Sequence, residues 1–137
     1  MAHEKFPVEV LTPEGEVFNE EVEMLSTRTA VGSIGVLANH TPLLAILDPT
    51  ELRQHRSEGD VVSFAQGEGY LQVGSNRALV LVEDAIPPED LDAGHLRERL
   101  SQAEEELSRC EEGTEEHAKG VRSKRRWEAF IEIAEGS

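Results

Sequence analysis

The sequence predicts a chain in two parts of different class, a β-sandwich or barrel followed by a C-terminal hairpin of two antiparallel helices. Three observations carry this. The apolar residues recur with a period of two up to about Asp84 and with spacings of three and four beyond Leu96. Turn-forming clusters punctuate the first part at short intervals, as in all-β domains. Between the two parts lies Glu83-Asp84-Ala85-Ile86-Pro87-Pro88-Glu89, whose adjacent prolines fit neither a central strand nor a helix interior. The domain boundaries follow: residues 1–86 form the β domain and residues 87–137 the helical hairpin.

Taken in order, Phe6, Val8 and Val10 alternate with other residues in a first strand, and Thr12-Pro13-Glu14-Gly15 ends it. Val22, Met24 and Ser26 alternate next, then Val62 with Phe64 and Leu71 with Val73. Ser57-Glu58-Gly59-Asp60 and Gly74-Ser75-Asn76 read as turns. Ala78-Leu79-Val80-Leu81-Val82 is apolar at every position, the pattern of a strand covered on both faces. In the second part Leu96, Leu100, Ala103, Leu107 and Cys110 form one stripe on a helix. Asp92 suits its N-cap, Gly113 its stop, and Thr114 the cap of the next helix, where Glu115 and Glu116 favour the positive end of the helix dipole. That second helix runs to about Ala134, with Trp127, Phe130, Ile131 and Ala134 on one side, and Gly120 weakens it by about 1 kcal/mol relative to alanine.

The formal net charge of -15 over 137 residues excludes a general basic footprint for nucleic acid or anionic lipid. The charge is uneven, however. Residues 85–137 hold fourteen acids and eight basic residues, and five of those eight, Lys119, Arg122, Lys124, Arg125 and Arg126, fall in one short stretch. That stretch has two readings: a solvated helix face balancing the acidic first helix, or an electrostatic handle for an acidic partner. A single cysteine, Cys110, leaves no internal disulfide and fits a reducing compartment. No apolar run approaches the roughly 20 residues a membrane helix needs, and MAHEKFPVEV carries no signal-peptide core. A soluble, cytoplasmic chain that meets a membrane only through a partner is the expectation. The histidines His3, His40, His55, His95 and His117 show no zinc-site spacing, and neither a nucleophile elbow nor a phosphate loop is present. Gly67-Glu68-Gly69 is followed by strand residues and reads as a place where the backbone itself needs glycine. No metal, no cofactor and no enzymatic activity are expected.

The first part resembles the epsilon subunits of bacterial-type rotary (F-type) ATP synthases. The resemblance rests on Val8-Glu9-Val10-Leu11-Thr12-Pro13-Glu14-Gly15, on LSTRTAVGSIGVLANHTPLL from Leu25 to Leu44 with Gly32, Gly35, Leu37, His40, Pro42 and Leu43 in register, and on Gly69-Tyr70-Leu71-Gln72-Val73 with Asn76 and Val80-Leu81. It is strong over residues 6–86 and architectural over 87–137. It implies a β-sandwich of about ten strands followed by a two-helix hairpin, and a non-catalytic central-stalk subunit that turns with the γ subunit and the c-ring. It places the c-ring contact at Arg28, Thr29, Ala30, Val31, Gly32 and Ser33, where Ser33 stands at a position often acidic in the family. It places His40, Thr41, Pro42 and Leu43 near γ; for His40 a bond to turn backbone and a direct contact weigh equally. It makes Lys119, Arg122, Lys124, Arg125 and Arg126 the part of the hairpin that meets the catalytic β subunits and blocks ATP hydrolysis. The ATP signature of some members is degraded, with Leu91 and Asp92 kept but His95 and Gln102 replacing arginines, so ATP binding is not expected. Location at the cytoplasmic face of the bacterial plasma membrane, as a peripheral subunit, follows. The alternatives are a free-standing β-sandwich binding module with a helical dimerisation tail, and a small hydrolase.

Overall fold

The computed structural model describes residues 3–136. Ten strands come first: β1 (Phe6–Thr12), β2 (Gly15–Val22), β3 (Met24–Thr29), β4 (Gly32–Leu37), β5 (Leu43–Leu47), β6 (Thr50–Ser57), β7 (Asp60–Gln66), β8 (Gly69–Gly74), β9 (Arg77–Val82) and β10 (Ala85–Ile86). A 3₁₀ turn at Pro88–Asp90 and the helices α1 (Ala93–Ser108) and α2 (Glu115–Gly136) follow. The chain divides into two compact units that meet between Pro87 and Pro88.

In the first unit the strands pair in the order β10-β7-β6-β3-β5-β8-β9-β1-β2, with β4 added to β3. Every pairing is antiparallel except β1 with β9, which is parallel and sets Val8 beside Ala78. The path folds into a near-barrel sandwich around one apolar core. Val8 and Val10 of β1, Leu52 of β6, Leu71 of β8 and Val80 of β9 are fully enclosed there, each buried side chain contributing roughly 1.5–3 kcal/mol. Phe18 and Phe64 meet edge to face with ring centroids 6.3 Å apart. Two interior polar side chains are tied together: Thr27 donates to Gln66 Oε1 at 2.6 Å, and Gln66 Nε2 donates to the Asp48 carbonyl at 2.7 Å. The Arg56 guanidinium links β6 to Glu20 of β2 at 3.3 Å and to Asp60 at 2.9 Å.

Three details differ from the periodicity. Val22 and Met24 belong to different strands separated at Glu23, and the buried face of β3 is Leu25, Thr27 and Thr29. β9 is covered on one face only: Ala78, Val80 and Val82 are buried, whereas Leu81 points outward. The linker contributes Ala85–Ile86 as an edge strand on β7.

In the second unit Asp92 accepts the His95 N–H at 3.1 Å and caps α1, and Thr114 accepts the His117 N–H at 3.2 Å and caps α2. α1 ends at Ser108, where the Arg109 N–H bonds the Glu106 and Leu107 carbonyls. Gly113, with φ +86, therefore serves the turn before Thr114 instead of stopping α1. The Arg97–Glu135 ion pair at one end and Leu107 against Gly120 at the other make the helices antiparallel. A Cβ on Gly120 would lie 3.0 Å from Leu107 Cδ1, so the glycine that weakens α2 is what lets α1 approach it. Leu96, Ala103 and Phe130 form the buried centre of the pair.

Candidate functional site

The β3–β4 turn is built to hold its tip outward. Thr29 Oγ1 donates to the Gly32 carbonyl at 2.9 Å and accepts the Val31 N–H at 3.2 Å. The Ala30 N–H bonds the Ile46 carbonyl at 2.9 Å, and the Asp48 N–H bonds the Arg28 carbonyl at 3.1 Å. Gly32 has φ +137, a conformation that side chains with a Cβ avoid. Val31 is thereby presented at 97 % exposure on a fixed turn, with Arg28 and Ser33 paired across the strands behind it. Arg28 to Ser33 thus form one rigid unit in which Thr29 is buried and Arg28, Ala30, Val31 and Ser33 are exposed.

His40, Thr41, Pro42 and Leu43 follow β4. His40 Nδ1 lies 2.6 Å from the Thr41 carbonyl, which makes that nitrogen the donor, and its backbone N–H bonds the Leu37 carbonyl at 3.2 Å. The ring is thus engaged with the turn. Asn39, with φ +62, ties the same turn to the β8–β9 turn through its N–H on Asn76 Oδ1 at 2.7 Å.

Beyond Leu43 lies a surface that the periodicity did not reveal. Strand register sets Ile46 of β5 beside Tyr70 of β8, Tyr70 beside Leu81 of β9, and Leu81 beside Leu11 of β1. All lie on the outer face of the sheet, opposite the core. Leu44 is 72 % exposed, Ile46 59 % and Tyr70 54 %. Leu11, Pro13, Ile46, Tyr70 and Leu81 line an open groove of about 480 Å³, with Glu68 and Glu83 on its wall. The unbroken apolar run of β9 was the available signal, since its outward residues need cover.

On the hairpin the basic residues separate. Lys124 Nζ approaches Glu104 of α1 at 3.9 Å, and the Arg126 guanidinium lies 5.1 Å from the Trp127 ring centroid. Lys119 borders a groove with Glu106 and Glu116, while Arg122 and Arg125 are exposed. Of the degraded nucleotide motif, Asp92 is occupied as the α1 cap, His95 and Gln102 are exposed, and Leu91 is half-buried. Arg99 lies 5.7 Å from the Trp127 ring centroid. Among the described residues no group of His, Cys, Asp and Glu is arranged to hold a metal ion, and no helix is long and apolar enough to cross a membrane.

A ten-stranded sandwich with an outward apolar face, followed by a capped helical hairpin, defines the class to which the comparisons lead. Residues 5–88 match the family described as ATP synthase, Delta/Epsilon chain, beta-sandwich domain. The ATP synthase epsilon chain of Persephonella marina is 36 % identical over 130 residues, covering 94 % of this chain and 96 % of that one. The epsilon chain of Sulfurihydrogenibium sp. is 30 % identical over 129 residues, with 94 % and 96 % covered. The chain belongs to the ATP synthase epsilon-chain family. Among solved structures, a chain of the Euglena gracilis mitochondrial ATP synthase, OSCP/F1/c-ring in rotational state 1, superposes with a TM-score of 0.78 at 20 % identity, covering 92 % of this chain and 79 % of that one. One from the Tetrahymena thermophila mitochondrial ATP synthase central stalk/c-ring gives 0.65 at 17 % identity, with 98 % and 99 % covered. These two share the fold.

Proposed function

We propose that this epsilon chain is a non-catalytic rotor subunit of the central stalk, docked on γ and seated on the c-ring, coupling ring rotation to the catalytic head through γ. The observation that carries this is the exposed apolar row Ile46–Tyr70–Leu81 with Leu44 beside it. An outward apolar face of that kind, rimmed by charges, is the mark of an interaction surface. His40, Thr41, Pro42 and Leu43 lead directly into it and form its γ-facing margin. The rigid turn from Arg28 to Ser33, with Val31 at its tip, is the element offered to the c-ring loops. The hairpin acts as an inhibitor of ATP hydrolysis, with the stretch containing Lys119, Arg122, Lys124, Arg125 and Arg126 directed at acidic segments of the catalytic β subunits. The subunit carries no cofactor and no active site, binds no nucleic acid, does not insert into the bilayer, and stands at the cytoplasmic face of the bacterial plasma membrane.

The test is binding of the full-length chain to a catalytic head that contains γ but lacks epsilon. Ile46→Asp places a charge in the apolar row and leaves the core untouched. It should weaken binding by roughly a hundredfold, as expected for a well-packed apolar anchor, with an unchanged melting temperature. Wild-type affinity in that variant would move γ docking elsewhere.

A further inference from the structure

On the docking face proposed above, one carboxylate stands apart from the others. Glu68 lies in the connection between β7 and β8, where the backbone is held on both sides. Its carbonyl accepts the Glu83 N–H at 3.0 Å. The next residue, Gly69, packs so closely on β9 that a Cβ there would lie 1.9 Å from the Leu81 carbonyl oxygen. Glu68 is half-buried and lines the apolar groove with Leu11, Pro13, Ile46, Tyr70 and Leu81. Three carboxylates elsewhere on the domain are engaged, Glu20 and Asp60 with Arg56 and Glu51 with Arg53. No side-chain hydrogen bond or ion pair to Glu68 exists among the described residues. A half-buried carboxylate on an apolar wall gains more from a partner's cation than an exposed one does, because docking excludes water from both. Glu83 lines the same groove, so the local field also has the sign that draws a cation and repels an acid.

We propose that Glu68 is a specificity contact of the docking face, receiving a lysine or arginine of the γ chain that lies beside an apolar side chain seated in the groove. The contact rests on the γ-docking reading. The apolar row supplies the area, and Glu68 selects the γ surface that carries a cation at the matching place. With no partner inside its own domain, Glu68 can be changed without disturbing the fold.

Binding of full-length Glu68→Gln and Glu68→Lys to the γ-containing head, at low and at high salt, tests this. Glu68→Gln should lose roughly three- to tenfold in affinity at low salt, with a shallower salt dependence, as for a charge at an interface margin. Glu68→Lys should lose more, and a Lys→Glu or Arg→Glu change at one position of γ should restore it. Glu68→Gln binding as wild type at low salt, or Glu68→Lys binding more tightly, overturns the proposal. The Ile46→Asp variant separates the two levels. If it loses binding while Glu68→Gln does not, γ docks on this face without a charge contact. If the wild-type chain does not bind the head, the docking reading and this inference fall together.

Discussion

A single pair of carboxylates illustrates how the outer surface of the sandwich differs from its core. Glu9 of β1 is held above the usual carboxylate range, first by a hydrogen bond with the Glu16 carboxyl, then by burial and by the Glu16 charge, with Arg77 opposing. The folded state thus binds this proton more readily than the unfolded chain, so its contribution to stability is lost as pH rises from the unfolded pKa through the folded one. Above that window the ionised pair is a penalty that Glu9→Gln removes. The variant should melt higher than wild type at about pH 7, and the difference should vanish at about pH 4; an equal gain at both values would rule out the charge pair as the cause. Legibility at this scale depended on whether the cause was local. Asp92 and Thr114 were readable as caps because capping acts within three residues. The Gly67–Gly69 segment was readable as a backbone requirement, but not that Leu81, in another strand, creates it. Gln66 gave no signal at all, since its partners Thr27 and Asp48 lie 39 and 18 positions away.

The elements show the same division. Buried faces of β1, β8 and α1 followed from period alone, because each has one covered side. β9 misled because an apolar outward face looks in sequence like a second buried one, and only its exposure reveals a surface awaiting a partner. The hairpin separates cations that stabilise it from those directed at solvent. Lys119→Ala with Arg122→Ala leaves Lys124 on Glu104 and Arg126 on Trp127. In the assembled synthase this pair should raise ATP hydrolysis without affecting assembly, and the gain should shrink at high salt; wild-type hydrolysis at low salt would count against an inhibitory role. α1 should also ignore nucleotide. Asp92 is a cap and Arg99 lies at the Trp127 ring, so neither is poised for triphosphate. Ligand at a hundred times its Kd would add about 2.7 kcal/mol, so millimolar ATP should leave the melting curve unmoved, whereas an upward shift of several degrees would show binding.

At the scale of the whole chain, the division at Pro87–Pro88 leaves each unit with its own buried centre. A chain of residues 1–87 keeps β10 on β7 and loses no strand. It should unfold in one cooperative transition and show a β-type circular dichroism spectrum, and an aggregated product would place part of the β core beyond Pro87. The parallel pairing of β1 with β9 has a consequence for the order of events during synthesis. Val8 meets Ala78, 70 positions further along the chain, and closing so long a loop is a slow, late step. The β1–β2 hairpin must therefore wait, with Val8 and Val10 uncovered, until nearly the entire domain has emerged. Nascent chains in that interval present an apolar strand paired with β2 and open on its β9 side, a state prone to aggregation that chaperones guard against.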